Sequence, residues 1–129
     1  MIVDSSALVA ILRNEPERER FVEAIAAAPS RSMAAPNFLE ASMVLAGRQE
    51  DAILERLDAF MREASIRILP FTAEHAAAAR HAFLRYGKGR HKAGLNFGDC
   101  IAYAAAKLEA EPLLFKGEDF RLTDVEAAA

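Results

Sequence analysis

Four short apolar runs, separated by long helical stretches, constrain this 129-residue chain more than any other feature. They are Met1-Ile2-Val3, Ser32-Met33-Ala34-Ala35, Ile66-Arg67-Ile68-Leu69 and Pro112-Leu113-Leu114-Phe115. Each is too short for a helix and apolar enough for a buried strand. The second is the weakest, because Ala and Met are poor strand formers. Between the runs lie helical stretches: Ser5 to Leu12, a stretch opened by Pro16, Pro36-Asn37 to Ala46, Glu50 to Ala64, Thr72 to Tyr86, and Asn96 to Glu109. Ile53, Leu54, Leu57, Phe60 and Met61 recur at helical spacing in the fourth of these. Arg121 to Val125 is a candidate edge strand. Short strands alternating with helices predict an α/β fold: a three-layer sandwich with a central parallel sheet of four to five short strands and helices on both faces. One domain over residues 1–129 is the expectation for this length.

In such sheets, ligands bind beyond the carboxyl ends of the strands. Of the 19 acids, Asp4, Glu40, Glu74 and Asp99 have no charged residue within three positions on either side. A carboxylate in apolar sequence is costly to bury unless something pairs with it. Glu74 sits in a first helical turn after Thr72, where it compensates the helix dipole. Each of the other three also has a structural reading. Asp4 can cap a helix, and Asn37/Glu40 and Asn96/Asp99 both resemble capping boxes. Taken together they read differently. In a parallel sheet Asp4, Glu40 and the Glu118-Asp119 pair gather at one end, and Asp99 joins them if its helix starts there. Several carboxylates in one place repel unless a cation lies between them. Oxygen ligands select Mg²⁺ or Mn²⁺ over zinc. The fitting chemistry is metal-assisted hydrolysis of a phosphodiester.

Met1-Ile2-Val3-Asp4-Ser5-Ser6-Ala7-Leu8, the helix carrying Glu40, Leu95-Asn96-Phe97-Gly98-Asp99-Cys100 and Leu113-Leu114-Phe115-Lys116-Gly117-Glu118-Asp119-Phe120 resemble the PIN domain, and more narrowly its VapC-type toxins. The resemblance runs from Met1 to about Val125. It implies an Mg²⁺- or Mn²⁺-dependent endoribonuclease that acts as a homodimer. It also implies a VapB-like antitoxin that forms a higher-order complex with the toxin. By position, Asp4, Glu40, Asp99 and Asp119 match the family's acidic quartet, with Asp4 and Asp99 as the expected metal ligands. Ser6 matches a hydroxyl residue supporting the first acid, and Asn96 a polar residue beside the third. Ser5 stands where many members carry Thr. Either Glu118 or Asp119 can face the metal, and Asp119 is favoured.

The stretch from Arg80 to Lys92 contains no acid. Its Arg85, Lys88, Arg90 and Lys92, with Lys116, are candidate contacts for RNA phosphates; a solvated helix end would carry the same charges. The net charge of −3 disfavours a protein that coats nucleic acid by bulk charge. His75, His81 and His91 lack the spacing of a zinc pair and read as surface residues. Cys100 is the one cysteine, which suits a reducing cytoplasm. No apolar run has the length of a membrane helix, and the start has no basic signal region. A receiver domain would need paired acids after the first strand and an Asp ending the third, whereas Leu69-Pro70-Phe71 follows here. A PIN-like module that binds RNA or protein without cutting would lack one of the acids, and none is missing.

Overall fold

Strands of two or three residues persist in a parallel sheet only when both faces are covered, because few ladder hydrogen bonds hold them. The computed structural model describes residues 1–47 and 51–129. The elements run β1 (Ile2–Val3), α1 (Ser5–Leu12), α2 (Arg18–Ala27), β2 (Ser32–Ala34), α3 (Ala35–Ala46), α4 (Ala52–Glu63), β3 (Arg67–Leu69), α5 (Ala73–Tyr86), α6 (Phe97–Glu109) and β4 (Leu113–Leu114). The sheet order is β3-β2-β1-β4, and every pairing is parallel. Ile2 faces Ser32 on one side and Leu113 on the other, so β1 is central.

Alternation along the strands sends side chains to two cores. Val3, Met33 and Leu114 join Leu8, Ile11, Phe21, Leu45 and Leu57 from α1 to α4. Ile2, Ala34, Leu69 and Leu113 join Tyr86, Ile101 and Tyr103 from α5 and α6. Phe21, Ile53 and Leu57 lie in the first core, as their helical spacing requires. All four alanines of α6 are among the buried residues, and their small size lets that helix lie close against its neighbours.

The expected architecture holds, with local corrections. Pro16 opens a turn rather than a helix, and α2 starts at Arg18. The chain passes from β2 straight into α3, so Asn37 lies inside the helix and caps nothing; the cap position is Ala34. Arg121–Val125 is not a strand. Asp119–Leu122 form a 3₁₀ turn anchored by buried Phe120, and the pairing with β4 falls later, at Ala127. The expected start of the fourth helix at Glu50 lies outside the described residues, which show the helix from Ala52.

Arg31 joins two helix ends that the cores do not reach. Its guanidinium donates to the carbonyls of Ile25, Ala26 and Ala28 at the end of α2, and to that of Ala64 after α4. Helix C-termini leave carbonyls without internal partners, and one cation here serves several. Arg31→Ala lowers the unfolding free energy by about 2 kcal/mol, read from the urea midpoint, because charged hydrogen bonds are lost and carbonyls are left unpaired.

Candidate active site

Asp4 ends the central strand. Its backbone N–H donates to Leu114 O at 2.9 Å, which ties it to β4. It is also the N-cap of α1, accepting from Ser6 N at 3.0 Å through Oδ2. Ser6 Oγ donates to the same oxygen at 2.5 Å and itself accepts from Lys116 N at 3.0 Å. Ser6 thus joins the first acid to the turn after β4. The carboxyl is 2% exposed, and its Oδ1 is buried without a hydrogen-bond partner. Burial pushes its pKa up to about 7; the Ser6 bonds oppose the rise, while the charges of Asp99 and Glu40 add to it.

Asp99 lies in the first turn of α6. Asn96 Oδ1 accepts from Asp99 N at 2.9 Å, and Asp99 Oδ2 accepts from Asn96 N at 3.0 Å. This reciprocal pair is a capping box, so both residues also have a structural duty. The Asp99 pKa is raised by burial, opposed by the Asn96 N–H, with Asp119 and Glu40 repelling the charge. Glu40, on α3, accepts at Oε1 from Ser5 Oγ at 2.6 Å and from Asn37 Nδ2 at 3.4 Å.

Asp4, Glu40 and Asp99 therefore stand within electrostatic reach of one another at the carboxyl end of the sheet, and Asp119 stands within reach of Asp99. Glu118 turns away, with its side chain 83% exposed and paired to Arg121 at 3.4 Å. Gly117, at φ +104, makes the turn that leads the chain from β4 to Asp119.

Among the described residues, no three acid, His or Cys side chains converge closely enough to chelate one ion by themselves. A hard divalent ion does not require that, because Mg²⁺ keeps several waters and takes one or two carboxylates. The buried, unpartnered Asp4 Oδ1 is the atom that such an ion would satisfy, and Asp99 is the neighbouring carboxylate. The donor set thus fits a hydrated Mg²⁺ or Mn²⁺. It offers no His or Cys nucleophile: Cys100 is buried, and its thiol is raised by burial and by the Asp99 charge.

The basic candidates separate into two groups. Lys116 pairs with Glu15, and with Glu17 at 3.5 Å, so its charge is directed away from the acids. Arg85 pairs with Asp124 at 3.5 Å and lies over the Tyr86 ring, and Arg90 donates to Leu84 O at 3.2 Å. Lys88 and Lys92 are exposed on a loop closed by the Gly87–Leu95 bridge, directly before Asn96. His75 completes a capping box with Thr72, and His91 lies edge-on to Tyr86. Two contributors escape the sequence reading, Asn37 and Gly98. The clue to Asn37 was a lone amide three residues before the acid, and a helix cap explained it equally well.

Residues 1–126 match the sequence model of the PIN domain family. A protein named Ribonuclease VapC from Mycolicibacterium smegmatis is 50% identical over 127 residues, covering 98% of both chains. Ribonuclease VapC30 of Mycobacterium tuberculosis is 45% identical over 129 residues, covering 100% of this chain and 98% of the other. The crystal structure of Mycobacterium tuberculosis VapC20, titled a Sarcin-Ricin loop cleaving toxin, superposes with a TM-score of 0.77 at 15% identity, over 96% of this chain and 95% of that one. A toxin–antitoxin complex from Klebsiella pneumoniae gives 0.68 at 17% identity, over 92% of this chain and 88% of that one. At those identities the two structures speak for the fold alone.

Proposed function

The chain belongs to the PIN domain family and is a ribonuclease of its VapC group, and from that premise we propose that it hydrolyses RNA phosphodiesters through a divalent cation held at Asp4 and Asp99. The observation that carries this reading is the buried, unpartnered Oδ1 of Asp4, on a carboxyl that the charges of Asp99 and Glu40 repel.

When bound, the ion lowers the pKa of a water and polarises the phosphoryl oxygen. The protein does the rest. Ser6 holds Oδ2 of Asp4, which leaves Oδ1 for the cation. The Asn96 N–H fixes Oδ2 of Asp99 in the same way. Glu40 is held at Oε1, and its Oε2 orients the attacking water. Asp119 is an outer acid of the set, in water-mediated contact or holding a second ion. Lys88, Lys92 and, with their pairs opened, Arg85 and Arg90 receive RNA phosphates beside the N-terminus of α6. Mg²⁺ is the working ion and Mn²⁺ a substitute.

The partners follow from the same premise: RNA, a second copy of the chain, and a VapB-like antitoxin that inhibits the toxin in a larger complex. Phe83 and Leu84 on α5, with Phe97 84% exposed at the start of α6, supply apolar surface for the second copy. Light scattering is expected to give a dimer mass, and a Leu84→Glu, Phe97→Glu variant a monomer mass. Among the described residues no helix is long and apolar enough to cross a membrane. We place the protein in the cytoplasm, where its RNA is.

The test is cleavage of an RNA pool by purified, antitoxin-free protein with Mg²⁺, with Mn²⁺ and with EDTA. Cleavage that needs the ion supports the reading, and cleavage undiminished in EDTA overturns it. Asp119→Asn is expected to slow the reaction about tenfold, the scale of an outer-sphere group. Glu118→Gln leaves it within about twofold, because an exposed ion pair contributes little.

A further inference from the structure

Asn37 is the one fully buried amide side chain in the described structure, at 0% exposure. It sits on α3 one helical turn before Glu40. Its Nδ2 donates to Gly98 O at 3.1 Å, on α6, and to Glu40 Oε1 at 3.4 Å. The same Oε1 accepts from Ser5 Oγ, on α1, at 2.6 Å. Side chains from α1 and α3 thus meet at one carboxylate, and a backbone carbonyl of α6 holds one of them. Ser5 and Asn37 both donate to Oε1, leaving Oε2 as the oxygen available to the site.

Gly98 supplies the other constraint. A Cβ there would lie 2.4 Å from Glu40 Oε2 and 2.7 Å from Oε1. No real side chain tolerates that approach, so any larger residue displaces the carboxylate. Gly98 is in helical conformation in the first turn of α6, where alanine would otherwise be favoured. A helical glycine between Phe97 and Asp99 costs helix stability, and the nearness of Glu40 accounts for it.

We propose that Asn37 and Gly98 are positioning residues for Glu40: the Asn37 amide ties the carboxylate to α6 through the Gly98 carbonyl, and the missing Gly98 side chain leaves room for Oε2 beside Asp99. Neither touches RNA, because both are buried. Both act through Glu40, and the assignment rests on the reading of Glu40 given above. It accounts for an amide buried between two helices that apolar packing alone would not select.

Two single variants test it, Asn37→Ala and Gly98→Ala, each made in the wild-type and in the Glu40→Ala background. Urea unfolding, Mn²⁺ titration calorimetry and single-turnover RNA cleavage are measured on all. The expected result is a drop in kcat of about 10–100-fold for each, the range for groups that orient a metal-site residue, with KM for RNA unchanged. Mn²⁺ affinity falls in parallel. Gly98→Ala keeps or raises the urea midpoint while losing activity, which a purely structural glycine would not do. In the Glu40→Ala background both substitutions lose their effect on kcat and on Mn²⁺ affinity, the signature of a shared route. Wild-type rates in the single variants overturn the assignment, as do equal losses with and without Glu40. In either case the nuclease reading stands. A wild-type protein that binds no Mn²⁺ and cuts nothing overturns that reading, and this assignment with it.

Discussion

Asp4→Asn combined with Asp99→Asn lowers ion-dependent RNA cleavage by at least about 1,000-fold, or about 4 kcal/mol of transition-state stabilisation, the scale of a catalytic cation. The fold survives the exchange. Asparagine is as good a helix cap as aspartate, so α1 keeps its first turn. Asn at 99 still accepts from Asn96 N through its side-chain oxygen. Cleavage on a time course, with circular dichroism of the same samples, separates lost chemistry from lost structure. Equal cleavage by variant and wild type would place the site elsewhere.

The same substitution at Asp4 alone raises the stability of the metal-free protein. Burial holds the Asp4 pKa at about 7, against an ordinary value of 3.8. Between those values the folded state keeps a proton that the unfolded chain has released. The unfolded state therefore binds fewer protons, and stability falls as pH rises through this window. Below the window the carboxyl is neutral in both states and costs nothing. Above about pH 7 the full penalty applies, about 4 kcal/mol. Metal-free wild-type protein is thus expected to lose Tm from pH 5 to pH 8, and Asp4→Asn to lose far less. At pH 8 the variant melts on the order of 10 °C higher. Added Mn²⁺ raises the wild-type Tm and leaves the variant nearly unmoved. A metal-free wild-type protein whose stability rises with pH over that range would mean that Asp4 is ionised and satisfied without a cation.

The two expectations share one cause. A site that holds a cation with buried acid is costly to fold when empty, so activity and metal-free stability pull in opposite directions at Asp4.

The sequence carries the sheet because its strands are apolar bursts bounded by turn residues, and short buried strands have few other readings. It carries the places of Asp4, at the end of a strand, and of Asp99, in the first turn of a helix, whereas Glu40 lies in the middle of α3. It does not carry pairings that depend on distant partners. Lys116 reads as a phosphate contact until the fold brings Glu15 and Glu17 to it. Asn37 reads as a cap because a helix start and a helix interior look alike when a strand runs into the helix without a loop. Arg121–Val125 reads as an edge strand, whereas Phe120 entering the second core coils Asp119–Leu122 into a 3₁₀ turn. Glycine contributes no pattern at all, so the role of Gly98 shows only once α3 and α6 are set side by side.

The central place of β1 has a consequence for the timing of synthesis. The strand that ends in Asp4 is made first, but its neighbours are β2 on one side and β4 on the other, and Leu114 O receives the Asp4 N–H. A nascent chain therefore holds the first acid without its β4 anchor until Leu113 and Leu114 have emerged. Asp119 emerges later still. Until β4 is made, the strand that carries Asp4 has only one of its two neighbours.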